Sequence, residues 1–274
     1  MAVSRPVNEY ALGSDAVEQE RLIRQAEWLS AHTERFFRLA GIGPGQRVLD
    51  LGSGVGDVAL IAGRLVGAGG AVVGAERDAR AVARATARMI ELGLSQVRFT
   101  QVDVAALPLD QPFDAAVGRY ILMYMQDPVG VLRSVSKLVR AGGVVAFQEW
   151  RVDAFQRACK VLPLWHTSAA LMFDTFRRTG ASTQMGPDLP ATFVRAGLPE
   201  PETQTVTLVG AERWMPDVIL TLVPQIRALD LPLTALGNLD TLYQRLMEEA
   251  DSRGVPAPLP ELTGAWAQRP VREE

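Results

Sequence analysis

Val48-Leu-Asp-Leu-Gly-Ser-Gly-Val-Gly56 joins an apolar run to three closely spaced glycines, and a helical pattern from Asp57 to Leu65 follows it. Glycine has no Cβ, so such a loop can turn sharply and let a ligand approach its backbone. A dinucleotide fingerprint would have its last glycine where this chain has Asp57. We expect Asp57 to repel a pyrophosphate at the helix N-terminus, whereas an amino-acid tail with an ammonium group suits nearby Asp50.

Short apolar runs alternate with helical patterns on the C-terminal side of this loop. The predicted strands read RVLDLG, AVVGAE, VRFTQVD, FDAAVGRY and GGVVAFQE. Apolar strands separated by helices predict a parallel sheet covered on both faces. Right-handed crossovers make such a sheet doubly wound, with ligands bound beyond the carboxyl ends of its strands. The sequence therefore predicts an α/β fold.

The flanking regions predict further elements. Helical spacing and capping residues predict a helix from about Ala16 to Leu39, and a second helix is expected around Leu239 to Ser252. The run PELTGAWAQRP predicts an antiparallel strand. We expect one domain in four parts: an N-terminal helical lid (1–45), a ligand-binding core (46–150), a substrate-cover insertion (151–200) and the C-terminal part of the sheet (201–274).

Composition narrows the classes of function. The 274 residues carry a net charge of −3, and no run of Lys or Arg forms a stripe typical of nucleic-acid binding. Cys159 is the sole cysteine, and no Cys/His cluster has the spacing of a metal site. We found no pattern of a signal peptide or membrane span, so we expect a cytoplasmic protein without a metal.

The segment from Arg47 to Trp150 resembles the class I S-adenosylmethionine-dependent methyltransferases. This resemblance implies a seven-stranded, mostly parallel, Rossmann-like sheet. In the family's first motif, the positions that match cofactor-binding residues are Asp50, Gly52, Ser53, Gly54 and Gly56. It further implies that Glu76 accepts hydrogen bonds from the two ribose hydroxyls and that Arg77 lies over the adenine ring.

Later motifs extend the same resemblance. It implies that Asp103 accepts a hydrogen bond from the adenine amino group, with the Val104 amide near the ring. At the next strand end, Arg119 would contribute backbone and Tyr120 would edge the pocket. The N-terminal segment resembles a subset of small-molecule methyltransferases. In that subset, the residues that match Tyr10 and Gln25 close over the methionine end of S-adenosylmethionine.

Candidates for the chemistry of methyl transfer are fewer. His166 and Glu149 are the candidate general bases, against a structural function for each. Aromatic and sulfur-containing side chains in the predicted cover are candidates for contact with substrate, against an ordinary core function: Trp165, Met172, Phe173 and Phe176.

The sequence predicts an S-adenosylmethionine-dependent methyltransferase that acts on an N, O or C nucleophile of a small molecule, such as a secondary metabolite. The Asn/Asp-Pro-Pro-Tyr/Phe motif of adenine- and glutamine-specific enzymes is absent, which disfavours DNA and protein acceptors. Two alternatives stay open: a protein that binds this cofactor without transferring methyl, and an NAD(P)-dependent oxidoreductase. A homodimer is compatible with the sequence.

Overall fold

The structure is a computed structural model that describes residues 16–102 and 112–271. The strands are β1 Arg47–Leu51, β2 Ala71–Glu76, β3 Val97–Gln101, β4 Phe113–Arg119, β5 Val139–Arg151, β6 Glu202–Thr207 and β7 Glu261–Gln268. The helices are α1 Ala16–Leu39, α2 Asp57–Val66, α3 Ala79–Glu91, α4 Pro128–Leu138, α5 Asp153–Cys159, α6 Pro163–Arg178, α7 Met185–Arg195, α8 Trp214–Ala228 and α9 Leu242–Ser252.

The seven strands form one sheet in the order β3-β2-β1-β4-β5-β7-β6. All neighbouring strands from β3 to β5 pair in parallel, and β7 pairs antiparallel with both β5 and β6. This arrangement confirms the predicted mostly parallel, doubly wound sheet. Strand order reverses between β1 and β4, so the loops that follow these two strands border the crevice where ligands bind in such folds.

Helices α1 and α2 cover one face of the sheet. Phe36 and Phe37 of α1 are fully buried with Val48 and Ile61. The Phe36 ring lies edge-on to Trp266, with 5.4 Å between ring centroids. The C-terminal half of α1 is therefore part of the hydrophobic core, although the sequence predicted a lid for this region.

Helices α4 and α7 pack against strands β4, β5 and β7. Helix α7 packs against β5 and β7 and also contacts α4. This position explains why Leu189 and Phe193 are fully buried. Helix α7 was expected to belong to the substrate cover, but it lies in the layer that covers the sheet.

Two segments, 152–184 and 208–260, form what we call the helical cap. The first contains α5 and α6, and the second, inserted between β6 and β7, contains α8, a 3-10 turn at Leu233–Leu236 and α9. Helix α6 packs against α8 and α9, so segments distant in sequence form one layer. The part 201–274 was predicted to complete the sheet, and among its described residues, 201–271, only β6 and β7 do so.

Aromatic rings attach the cap to the end of β5. Trp150 lies 5.0 Å from Trp214 and 5.1 Å from Phe176, measured between ring centroids and with nearly perpendicular planes. Such edge-to-face pairs add to the stabilisation from burial. Within residues 16–102 and 112–271, no helix is long and apolar enough to cross a membrane.

Candidate functional site

The loop after β1 contains three glycines in a left-handed conformation, with φ of 64° at Gly52, 51° at Gly54 and 88° at Gly56. A Cβ at Gly52 would lie 2.4 Å from Ile121 Cδ1, and one at Gly56 would lie 2.9 Å from Phe99 Cζ. A Cβ at Gly54 would have no atom of the described chain within 4 Å. Gly52 and Gly56 thus allow close packing, while Gly54 faces space that no described residue fills.

Glu76 at the end of β2 is fixed against this loop. Its Oε2 accepts a hydrogen bond from the Gly54 amide at 2.9 Å. Its Oε1 accepts from the amides of Arg77 and Asp78 at 2.8 and 2.9 Å. A carboxylate has about four lone-pair sites, so Glu76 can still accept hydrogen bonds from a ligand. The structure thus brings Glu76 to the glycine loop. Arg77, which was predicted to lie over the adenine ring, is exposed.

Asp50 lies below the same loop, near the N-terminus of α2. Its exposed fraction is 1%, and neither carboxylate oxygen has a hydrogen-bond partner of normal geometry in the described part of the chain, although the Ala59 amide of α2 lies near it. Burial raises its pKa well above the usual range, and the nearby charge of Arg119 opposes that rise. The Ser53 hydroxyl is also buried and unpartnered. Buried polar atoms of this kind call for a ligand or water.

Asp57 begins α2 and forms an ion pair with Arg88 of α3, at 2.8 Å between Oδ1 and Nη2. Both side chains are largely buried, with exposed fractions of 14% for Arg88 and 10% for Asp57. This pairing neutralises the charge that was expected to repel a pyrophosphate. The charge argument based on Asp57 was therefore wrong, whereas the missing third glycine still separates this loop from the dinucleotide fingerprint.

The turn after β4 connects three elements. Tyr120 has a left-handed backbone with φ of 56°, and its amide donates to the Gln148 carbonyl of β5 at 2.9 Å. Its ring lies 6.2 Å from that of Trp150. Arg119 Nη1 donates to Thr33 Oγ1 of α1 at 2.9 Å. The turn is thereby fixed to both β5 and α1.

Glu149, the second candidate base, is fully buried beneath this turn. Its Oε1 accepts from the amides of Ile121 and Leu122 at 3.1 and 2.7 Å, while Oε2 has no partner among the described residues. Burial raises its pKa to about 8, against the lowering effect of these backbone hydrogen bonds. Glu149 anchors the turn, and its function as a base stays a prediction.

The other chemical candidates lie in the cap. His166, the first candidate base, is exposed on α6. Trp165 is buried, and its Nε1 donates to the Leu246 carbonyl of α9 at 2.9 Å. Met172, Phe173 and Phe176 are also buried in the core. In this structure the four predicted substrate contacts pack the cap, and their contact with a substrate stays a prediction.

Gln25 is buried on α1, where its Oε1 accepts from Arg21 Nη1 at 2.7 Å. Tyr10, Asp103 and Val104 lie outside the described residues. Sequence reasoning missed Thr33, Arg88 and Gln148. Gln148 left a usable signal, because a glutamine inside the apolar run VVAFQE is unusual for a buried strand. The other two are polar residues on amphipathic helices and gave no signal.

Residues 42–184 match a family described as "Methyltransferase domain", which covers more than half of the chain. One relative is the ubiquinone/menaquinone biosynthesis C-methyltransferase UbiE of Cellvibrio japonicus, 28% identical over 159 residues. The match covers 54% of this chain and 64% of that protein. The chain therefore spans slightly less than two thirds of this relative.

Solved structures share the fold. The YcgJ protein of Bacillus subtilis superposes with a TM-score of 0.60 at 19% identity, covering 88% of this chain and 100% of that one. Phosphoethanolamine N-methyltransferase 2 of Haemonchus contortus, whose structure contains S-adenosylhomocysteine, has a TM-score of 0.55 at 14% identity. That match covers 88% of this chain and 53% of the other.

Proposed function

The chain belongs to the methyltransferase-domain family, and from this premise we propose that it transfers the methyl group of S-adenosylmethionine to a nucleophilic N, O or C atom of a small molecule. The observation that carries the proposal is Glu76, which is held by backbone hydrogen bonds beside the open face of Gly54. A fixed carboxylate next to a Cβ-free loop suits a ribose with two free hydroxyls.

The described residues fit this cofactor at both ends. Glu76 would accept from the ribose hydroxyls, and the open space at Gly54 would admit the adenosyl group. Asp50 offers two buried oxygens without partners to a cationic group. Following the resemblance, Asp103 and Val104 would bind the adenine, and Tyr10 and Gln25 would close over the methionine. Bound S-adenosylmethionine supplies an electrophilic methyl group and its own leaving group.

The protein's contribution to such a reaction is alignment and exclusion of water. The turn after β4 borders the crevice, and hydrogen bonds to Glu149, Gln148 and Thr33 hold it rigid. The ring of Tyr120 contacts Trp150 of β5, and Trp150 in turn packs against Trp214 and Phe176 of the helical cap. We therefore assign acceptor binding to the space between the turn and the cap.

A small-molecule acceptor agrees with the cap and with the net charge of −3. A cytoplasmic location belongs to the same proposal and is supported by the cysteine content of the sequence, since Cys159 is its one cysteine and no disulfide can form within the chain. UbiE, by its name, methylates carbon in quinone biosynthesis, so quinone precursors are suitable first acceptors to test.

A second candidate function is binding of S-adenosylmethionine without methyl transfer. The positions of the two candidate bases favour it. His166 is exposed, and one carboxylate oxygen of Glu149 accepts hydrogen bonds from two backbone amides. An acceptor that must lose a proton would then lack an evident base. Product analysis by mass spectrometry separates the two, because only methyl transfer yields S-adenosylhomocysteine together with a methylated acceptor.

Calorimetric titration tests the cofactor. We expect the protein to bind S-adenosylmethionine and S-adenosylhomocysteine but not NADH. Glu76→Ala should weaken adenosyl-ligand binding at least about tenfold through loss of charged hydrogen bonds. Glu91→Ala, an exposed glutamate on α3, is the matched control and should leave affinity unchanged. Binding of NADH alone would overturn the proposal.

A further inference from the structure

A cavity of about 580 Å³ lies where the turn after β4 meets the linker between α6 and α7. Its walls are residues 125–129, Arg177 at the end of α6, linker residues 180–184 and one face of α7. Gly54 and Glu76 do not line it, so this cavity is separate from the proposed cofactor site. Its volume lies in the range of small-molecule sites.

The walls of the cavity are held in place by the backbone. The Ser182 amide donates to the Met123 carbonyl at 2.7 Å, which fastens the linker to the turn after β4. Gly186, in the first turn of α7, lies so close to the Trp150 carbonyl of β5 that a Cβ there would clash with it. The start of α7 is therefore fixed against the sheet, and the cavity is preformed.

The N-terminus of α7 lies at the cavity wall with a buried hydroxyl beside it. Thr183 is 6% exposed and lines the cavity, and its hydroxyl forms no hydrogen bond with any described residue. Gln184, the residue before α7, does not cap the helix with its side chain. The start of a helix carries a partial positive charge, so an uncapped start beside an unpartnered hydroxyl suits an anion.

The charged residues of the lining define which anion fits. Arg177 and Arg195 bring two positive charges, and Asp127 and Asp188 bring two negative ones. Asp127 Oδ1 accepts from the Gly130 amide at 2.8 Å, so this carboxylate is turned towards α4. A monoanion is attracted by the arginines and the helix start, whereas a phosphate dianion is repelled more strongly by the two carboxylates. The lining therefore favours a carboxylate over a phosphate.

We propose that this cavity binds a small organic carboxylate, with its anionic group at Thr183 and the start of α7 and its apolar body against Met125 and Met185. Methionine side chains adapt to ligands of irregular shape. The cavity adjoins the turn and the helical cap, where we assign acceptor binding, so the methyl acceptor is one source of such a carboxylate and a separate effector is the other. The site itself does not depend on the proposed cofactor.

The two methionines report occupancy directly by NMR of protein labelled at the methionine methyl carbons. Salicylate should shift the signals of Met125 and Met185, which the variants Met125→Leu and Met185→Leu assign, and should leave the signal of Met89 on α3 in place. The neutral amide salicylamide and the dianion phenyl phosphate should bind at least about tenfold more weakly. With S-adenosylmethionine present, methylated salicylate would identify an acceptor site, and unmodified salicylate would identify an effector site.

Arg177 and Arg178 provide a matched pair of variants. Both are 55% exposed and pair with Asp174, and of the two Arg177 lines the cavity. Arg177→Met and Thr183→Val should each weaken salicylate binding by about three- to tenfold, while Arg178→Met should leave it unchanged. Asp188→Asn removes a like charge and should strengthen phenyl phosphate binding by about three- to tenfold.

The outcomes separate this site from the proposed function. Equal binding of salicylate and salicylamide, or salicylate binding that neither Thr183→Val nor Arg177→Met weakens, would overturn the carboxylate site. A wild-type protein in which salicylate shifts neither methionine signal would overturn it as well, even if S-adenosylhomocysteine binds. Failure to bind S-adenosylhomocysteine would instead refute the proposed function and leave the NMR result standing.

Discussion

Gly52 and Gly54 have the same left-handed backbone, but their surroundings differ. Gly52→Ala places a Cβ against Ile121 and should cost about 2–4 kcal/mol of unfolding free energy from strain and overpacking. Gly54→Ala has open space and should cost only about 1–2 kcal/mol. Urea denaturation measures both free energies.

Gly54→Ala should nevertheless be the more damaging change for the ligand. Its Cβ would occupy the space beside Glu76, so we expect at least about a tenfold loss of S-adenosylhomocysteine affinity in titration. A variant that keeps wild-type affinity would show that the ligand does not approach Gly54, and a Gly52→Ala protein as stable as wild type would contradict the packing argument.

Glu149 should make the stability of the protein depend on pH. Burial raises its pKa from 4.5 to about 8, so between these values the folded state holds a proton that the unfolded state has lost. Stability is then highest below pH 4.5 and falls as pH rises towards 8. Relative to Glu149→Gln, the wild type should lose about 3 kcal/mol between pH 5 and pH 8.

Urea denaturation at several pH values gives this difference. Taking the difference between the two proteins removes the contributions of Asp50 and Asp217, whose pKa values are also raised by burial. Glu34→Gln, on an exposed part of α1, should run parallel to the wild type at every pH. A constant difference between wild type and Glu149→Gln would mean that Glu149 is ionised throughout.

At the residue scale, the sequence could predict a site residue where its position relative to a strand is recognisable from the local pattern. The glycines after β1 and the acid after β2 are such positions, since each follows an apolar strand at a fixed offset. It could not predict Thr33 or Arg88, because their partners Arg119 and Asp57 come from distant parts of the chain. Pairings of this kind depend on tertiary packing and leave no local trace.

At the element scale, helix α1 ends at Leu39, where the sequence predicted its end, and the strands from β1 to β5 were each located. Helix α8 was missed. It contains an internal proline, Pro224, which usually indicates a helix end or interruption. Buried residues such as Met215 and Leu222 leave the helix without a clear polar face. Helix α7 likewise contains an internal proline, Pro190.

Helices α2 and α3 should depend on the ion pair between Asp57 and Arg88. Arg88→Met leaves a largely buried carboxylate unpaired and should cost about 2–4 kcal/mol of unfolding free energy. Asp57→Asn should cost about 1 kcal/mol, because Arg88 still donates to the Val55 carbonyl. In a double-mutant cycle, the double variant should lose less unfolding free energy than the summed losses of the two single variants. Strictly additive losses would show that the pair is not coupled.

At the scale of the whole molecule, the sheet separates two buried clusters. One lies under α1 and α2 and includes Phe36, and the other joins α4, α7 and the helical cap and includes Trp214. The sequence predicted a cover, but its second half arises from an insertion between β6 and β7 whose pairing with α6 is long-range. Composition alone gives no sign of that pairing.

These two clusters should respond separately to truncation. Trp214→Ala removes a ring that contacts both Trp150 and Phe155, and Phe36→Ala removes one that contacts Trp266. Each should cost about 3–5 kcal/mol. By hydrogen exchange, Trp214→Ala should raise the exchange of α6 and α8 and spare α2, while Phe36→Ala should do the reverse.

The same pair of variants locates the two ligands. Trp214→Ala leaves the cluster under α1 and α2 intact, so S-adenosylhomocysteine affinity should stay within about threefold of the wild type. Acceptor binding should be lost, since Trp214 packs on Trp150, whose ring contacts Tyr120 of the turn after β4. Phe36→Ala perturbs the helix that holds Thr33 and should weaken the cofactor instead. If either variant raises hydrogen exchange equally in both clusters, the two clusters unfold as one cooperative unit. Changes in the cap would then alter acceptor binding and cofactor binding together.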